Sequence, residues 1–296
     1  MDERDWLAQQ FEENRRHLRG VAYRMLGSLS EAEDAVQECW LRTTQSEMDN
    51  VANLRGWLTT VVARICLDML RSRKSRREEP LEVPGGEPAH VATHTPDPES
   101  EALLADSVGF AMLVVLDRLS PAERIAFVLH DLFDLPFEDI ARIAGRSPEA
   151  TRQLASRARR RVRGASQLNP SELGEQRSLV DRFLAALRRG DVAGIVGVLA
   201  PDFAVHADAV AAAALARVPA EIHGAEAWAR EAVKAARGAH LARPALVEGG
   251  VGVVVAPRGR LFRVLRLTFR EGRIAHMEVI GDPQRLGVLD LGVLTD

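Results

Sequence analysis

Residues 78–107 hold eight acidic side chains and no lysine or arginine, and they gather Pro80, Pro84, Gly85, Gly86, Pro88, Pro96 and Pro98. A stretch so acidic and so rich in turn formers, without a sustained apolar period, supplies no core helix or strand. It reads as a linker, and the chain on either side must fold as separate packed units. A length of 296 residues allows two or three such units. The net charge of -3 conceals the segregation, since residues 1–77, 108–166 and 167–296 are each slightly basic and 78–107 is not. The run Arg71, Arg73, Lys74, Arg76 and Arg77 directly precedes the acidic block. Lysine occurs only at Lys74 and Lys234, a bias that GC-rich coding explains as well as a need for bidentate contacts.

Composition excludes several classes. With 46% apolar and 27% charged residues the chain is not wholly disordered. No apolar run reaches the roughly 18 residues of a membrane span, and Met1 to Trp6 is charged, without a signal-peptide core. The expected location is the cytoplasm, with no membrane partner. Cys39 and Cys66 form no CxxC pair and have no histidines at ligand spacing, so neither a disulfide framework nor a metal site is expected, and both read as small core residues.

The first unit reads as helical. Leu18, Val21, Ala22, Met25 and Leu26 fall on one helical stripe, which Gly27 ends. Ser30-Glu31-Ala32-Glu33 has the form of a capping box and predicts a second helix, with Ala32, Val36, Cys39 and Trp40 on one face and Asp34, Gln37, Glu38 and Arg42 on the other. A third helix is expected from about Leu54 into the basic run. It turns Leu54, Leu58, Val61, Ile65 and Met69 inward and carries Arg64, Asp68, Arg71 and Ser72 on its surface. An isolated charged face is ordinarily just solvated, but the basic end has the charge that phosphates attract.

After the linker, Asp97-Pro98 and Ser120-Pro121-Ala122-Glu123 are helix starts in which proline follows an N-cap. Residues 137–144, FEDIARIA, predict a short helix. Gly145-Arg146 supplies a turn, and Ser147-Pro148-Glu149 caps a helix reaching about Arg163, which is helix-turn-helix spacing. On the second helix Leu154, Ala155, Ala158 and Val162 point one way, while Arg152, Gln153, Ser156, Arg157, Arg160 and Arg163 point the other. Arginine and glutamine are suited to guanine and adenine edges in the major groove.

Residues 31–42, EAEDAVQECWLR, followed by 54–71, LRGWLTTVVARICLDMLR, resemble the clamp-binding and promoter-melting helices of bacterial extracytoplasmic-function sigma factors. Residues 119–163 resemble the -35-binding domain of the same family. The resemblance implies RNA polymerase core as partner, through the β′ clamp helices for Asp34, Gln37, Glu38 and Arg42, and through the β flap. It implies capture of single-stranded -10 bases around Asn53, Arg55, Arg64, Asp68, Arg71, Ser72 and Arg73, a task that needs a basic rim and flat or edge-binding groups. Trp57 is assigned to packing. For duplex -35 DNA it implies Arg146, Ser147, Glu149, Thr151, Arg152, Gln153, Ser156, Arg157 and Arg160, with Glu149 equally suited to the helix dipole.

A minimal member of that family would stop near Arg163, yet some 130 residues follow. Leu179, Phe183, Leu184 and Leu187 begin a helix that Gly190-Asp191 breaks, and Ile195, Val198 and Leu199 begin another. Residues 250–256, 260–269 and 273–280 read as strands, joined by turns at Pro257-Arg258-Gly259 and Glu271-Gly272. This order resembles the SnoaL-like cone domain fused to one branch of these sigma factors. Asp208-Ala209-Val210-Ala211 replaces that branch's glycine-rich Asp-Gly-Gly-Gly stretch, and the linker lacks its Trp-Leu-Pro motif, which puts contacts through those motifs in doubt. His206, Asp208, His223, Trp228, His276 and Glu278 are expected to line a pocket, as satisfied polar groups rather than catalysts, since no nucleophile motif accompanies them.

The expected architecture is therefore two all-α DNA-binding domains, the second a helix-turn-helix, followed by an α+β SnoaL-like cone domain. Its parts are a core-binding and -10 domain over 1–77, the linker 78–107, a -35 domain over 108–166 and a regulatory domain over 167–296 that contacts the others. The chain is expected to be no enzyme and to need no cofactor. Two alternatives stay open: a helix-turn-helix regulator that uses only 119–163, and a cyclase or hydrolase fused to a DNA-binding module.

Overall fold

The computed structural model describes residues 3–45, 53–76, 110–166, 168–214, 221–234, 236–257 and 260–294. The linker and the Asp97-Pro98 helix start lie outside them. The described chain divides into two compact units. One holds the residues up to 76 together with 116–160, and the other holds 110–115 together with 161 onward.

In the first unit α1 (Glu3–Leu26), α2 (Leu29–Thr44) and α3 (Leu54–Arg76) pack against one another. Gly27, at φ 74°, closes α1 in a conformation that suits glycine. The cap of α2 is Ser28, whose hydroxyl accepts from Glu31 N at 3.5 Å, so the helix starts two residues earlier than the Ser30 box predicts. Ala32, Ala35, Val36 and Cys39 of α2 are buried, and Trp40 lies 5.0 Å from the Phe11 ring. Leu58, Val62, Ile65, Cys66, Leu67 and Leu70 of α3 are buried, a wider face than one stripe. Burial raises the Cys39 thiol to about 11 and pushes Cys66 higher, as inert core residues require.

The remaining helices of this unit follow the expected order. α4 (Phe110–Asp117) ends here, and Ser120 and Glu123 form a reciprocal capping box at the start of α5 (Pro121–Phe127). α5 runs on into a π-helical turn, Val128–Leu132, which the sequence did not announce. α6 (Phe137–Ala144) ends at Gly145, φ 66°, and α7 (Pro148–Arg163) follows. The two expected helical domains are not separate bodies, because α3 packs against both α5 and α6.

The second unit carries α8 (Pro170–Arg189), α9 (Val192–Val198), β1 (Leu199–Ala207), α10 (Ala209–Ala214), β2 (Glu221–His223) and α11 (Ala225–Lys234). β3 (Ala242–Val247), β4 (Gly250–Val255), β5 (Arg263–Arg270), β6 (Arg273–Ile280), α12 (Pro283–Val288) and β7 (Leu291–Gly292) complete it. Its sheet has the order β2-β1-β6-β5-β4-β3-β7. Three strands match the sequence reading closely, and Glu271-Gly272 turns with φ of 51° and 69°, the paired positive values of a tight hairpin. Residues 258 and 259 of the other expected turn lie outside the described residues. β1 is the departure. It lies between helices and pairs in parallel with β6, so the sheet is more than a meander. Its inner face packs Phe203 and Val205 with Phe183, Leu184, Trp228, Met277 and Val279 in one apolar core.

The last turn of α7 belongs to this unit. Val293 N donates to Val162 O at 2.7 Å, and Gly164, φ 63°, lies against Gly292. A Cβ on Gly292 would stand 2.7 Å from Gly164 Cα and 2.8 Å from Arg163 O, so two glycines allow this backbone contact.

Candidate nucleic-acid interface

The outer face of α2 exposes Asp34, Gln37 and Arg42 and half-exposes Glu38, opposite its buried seam. Arg42 Nε donates to Glu38 Oε1 at 2.8 Å, an exposed pair worth at most a few tenths of a kcal/mol (~0.3–0.5). Leu41 is 53% exposed on the same face, at the i+7 position from Asp34. Sequence reasoning passed over it, although an unburied leucine beside alternating charges is the available signal for a contact surface.

Along α3, Arg55, Arg64, Asp68 and Arg71 are exposed and Ser72 and Arg73 half-buried. Asn53 caps the helix, its Oδ1 accepting from Gly56 N at 3.0 Å. Arg55 Nη2 lies 2.9 Å from His17 Nδ1, and the other ring nitrogen of His17 meets Thr59 Oγ1 at 2.9 Å. Burial, with Arg55 and Arg24 nearby, pulls the His17 pKa down and keeps it neutral. Asp68 and Arg71 form a loose pair at 3.9 Å, and Arg71 Nη2 donates to Ala144 O at 3.2 Å. Arg73 is turned into the fold, donating to Leu26 O and pairing with Glu31. Exposed arginine and polar groups thus line one side of α3, with Asn53 and Arg73 also serving the helix ends.

In the helix-turn-helix, Arg146, Ser147, Glu149, Arg152, Gln153, Ser156, Arg157 and Arg160 are all exposed. Thr151 departs from the expectation. It has no accessible surface, and its hydroxyl donates to Ser147 O at 2.9 Å, so it braces the first turn instead of facing outward. Ser147 caps α7 by accepting from Ala150 N at 3.1 Å. Arg152 pairs with Glu138 of α6 at 2.7 Å and sits over the Phe137 ring at 5.5 Å, while that ring stacks on His130 at 3.9 Å. Arg159 is fastened to Asp131 of the π turn at 2.5 Å. These contacts set the angle of α7 on its scaffold and leave a row of unburied donors along one face.

Residues 10–76 match the family model for Sigma-70 region 2, and residues 110–162 match that for Sigma-70, region 4. Across 98% of its own length and 98% of the relative's, the chain is 32% identical to the probable ECF RNA polymerase sigma factor SigI of Mycobacterium tuberculosis. The chain belongs to the ECF RNA polymerase sigma factors. It is also 43% identical over 194 residues to the ECF RNA polymerase sigma factor SigJ of the same organism, a match that spans 65% of this sigma factor and 62% of SigJ. The crystal structure of SigJ aligns with 95% of this chain and 98% of that one, at 32% identity and a TM-score of 0.46.

The α+β domain of the sigma factor does not assemble the pocket expected from sequence. β1 and β6 pair Ala204 with His276, Val205 with Met277 and His206 with Glu278. Val205 and Met277 face the apolar core, so alternation puts His206, His276 and Glu278 on the opposite face, together with His223, which pairs with Ala204. Trp228 is on the core side, 7% exposed, with ring centroids 5.7 Å from Phe183 and 5.4 Å from Phe203. The sheet separates it from the histidines. His206 and His223 are exposed, and Asp208 is a structural cap whose oxygens accept from Ala211, Gly281 and Asp282 N at 2.8–3.0 Å. Burial alone would raise the Glu278 pKa, but the Arg285 hydrogen bond and the Arg266 charge outweigh it and keep Glu278 ionised. A carboxylate so held is a poor proton donor at neutral pH. An open groove of about 660 Å³ between the start of α8 and the β5–β6 hairpin is lined by none of these candidates. No described helix is long and apolar enough to cross a membrane, and no described cluster of His, Cys, Asp or Glu has the form of a metal site.

Proposed function

We propose that this sigma factor docks on the β′ clamp helices through Asp34, Gln37, Glu38 and Leu41, captures melted -10 bases along the exposed side of α3 and reads the -35 duplex with α7. The β flap is the second polymerase contact, held by the 116–160 region. The observation that carries the reading is the face of α7, where Gln153, Ser156, Arg157 and Arg160 are exposed in one row on a helix braced from behind by α6. Nucleotidyl transfer belongs to the polymerase, and this chain supplies recognition and strand capture, acting in the cytoplasm where the polymerase is. The α+β domain acts as a regulator and not as an enzyme. Its core is filled by side chains, its polar candidates fall on separate faces, and Val293 grips the end of the recognition helix through Val162 O.

The test is run-off transcription with core polymerase on promoters varied at -35. Gln153→Ala is expected to relax discrimination at one base pair by about 1–3 kcal/mol. Arg160→Ala and Arg163→Ala should weaken binding across all sequences and flatten its salt dependence by about one phosphate each. Unchanged -35 selectivity with Gln153→Ala and unchanged salt slopes with the other two would remove α7 from the interface. DNA binding without any binding to core polymerase would instead leave a helix-turn-helix regulator.

A further inference from the structure

The first unit joins the two halves of the promoter-binding machinery by a seam of arginines. Arg124 of α5 is 3% exposed, and its guanidinium donates to Leu116 O at 2.6 Å, to Asp117 Oδ1 at 3.0 Å and to Met25 O, in the last turn of α1, at 2.8 Å. A cation among helix C-terminal carbonyls is well placed. Arg71, a candidate for -10 DNA, donates to the carbonyl of Ala144, the last residue of α6. Arg24 lies over the Phe133 ring at 5.2 Å, and His17 meets the same ring edge-on at 5.3 Å.

Distance decides what this arrangement can do. Elements at -10 and -35 lie about 25 base pairs apart, roughly 85 Å of duplex at 3.4 Å per pair. Arg71 touches Ala144, and only three residues separate Ala144 from the start of α7. Those residues reach at most ~14 Å, and the sixteen residues of α7 add ~24 Å. No part of the recognition helix is then farther than about 40 Å from the point that Arg71 grips. The packed unit cannot lay α3 on -10 and α7 on -35 at once. The thirty residues 78–107 are long enough, at up to ~100 Å extended, to let the halves part.

We propose that the packed first unit is a closed, promoter-incompetent state, latched by Arg124 on Met25 O, Arg71 on Ala144 O and Phe133 between Arg24 and His17, and that core polymerase opens it. The proposal rests on the sigma-factor reading. Closure withdraws Arg71 from DNA, so free protein is kept from promoters without a separate inhibitor, and the binding energy of core is partly spent on opening.

The experiment labels the full chain with a donor and acceptor dye at Arg16→Cys and Arg142→Cys, both exposed and outside every proposed contact; the natural cysteines are buried. High energy transfer is expected in the free chain, falling when core polymerase and promoter are added. Phe133→Ala should lower transfer in the free chain and raise the apparent affinity for core by about three- to tenfold. Arg124→Lys, which keeps the charge but loses the fork, should move both readings the same way, and it stands in if Phe133→Ala melts the unit by circular dichroism. Low transfer in the free chain, or transfer unchanged in the presence of core and promoter, overturns the latch. The free-chain measurement needs neither DNA nor polymerase, so its failure is separable from a failure to transcribe.

Discussion

Replacing Asp34 and Glu38 together by arginine is expected to weaken binding to core RNA polymerase at least about a hundredfold. Like-charge juxtaposition at an interface costs several kcal/mol, and each 1.4 kcal/mol is tenfold. The first unit should stay folded. Both side chains are outside the buried seam of α2, and the Glu38–Arg42 pair lost with them is exposed and weak. Pull-down of core by the double variant, with a circular dichroism melt as control, gives the answer. Leu41→Ala should add a loss of its own, about tenfold, because an exposed leucine becomes useful only when covered. Undiminished core binding by a folded double variant would move the clamp contact off α2.

The second large effect is on stability. Asp208→Ala removes the acceptor for three backbone N–H groups, on Ala211, Gly281 and Asp282, and the partner of Arg285 at 3.5 Å. Leaving such donors unmade costs about 2–4 kcal/mol and should lower the unfolding midpoint of the α+β domain. The pH dependence has a definite sign. Burial by itself would raise the Asp208 pKa, but the three N–H donors and Arg285 outweigh it and hold the carboxyl below its usual range. A group depressed in the folded state contributes stability above its unfolded pKa near 3.9 and loses it as the pH falls through the lower folded value. Thermal melts of parent and variant should therefore differ most above about pH 5 and converge at strongly acid pH. A constant gap across that range would assign the effect to packing alone.

Short-range signals made much of this legible beforehand. The Ser120 box, the Gly145 turn and the arginine face of α7 are local patterns whose physics is complete within a few residues, and each is present as expected. The same locality explains the misses. Ser28 and Ser30 both precede a glutamate at the right distance, and nothing in the sequence ranks them. β1 carries Pro201 and Asp202 within a strand whose partner, β6, comes some 70 residues later, so no hairpin pattern marked it. The pocket candidates were grouped by chemistry without regard to strand parity, which put Trp228 and the histidines on opposite sides of one sheet. The Arg124 contact joins residues 99 apart, and no local pattern distinguishes an arginine that will be buried from one that will meet phosphate.

The Gly164–Gly292 contact bears on how such a protein is cut and recombined. A sigma factor with an added domain invites treatment as beads on a string, with a joint near Ser166 at which the extra bead is removed. Here that joint is woven. Val162 O is spoken for by Val293, Ser166 Oγ donates to Gly249 O, and a backbone crossing that only glycine tolerates lies between them. Truncation after Ser166 would do more than subtract a domain, since it would also unpick the last turn of the recognition helix. A transcription defect in the shortened chain therefore reads domain loss and helix fraying together. A graft of this domain onto another sigma factor would have to carry the end of its helix with it.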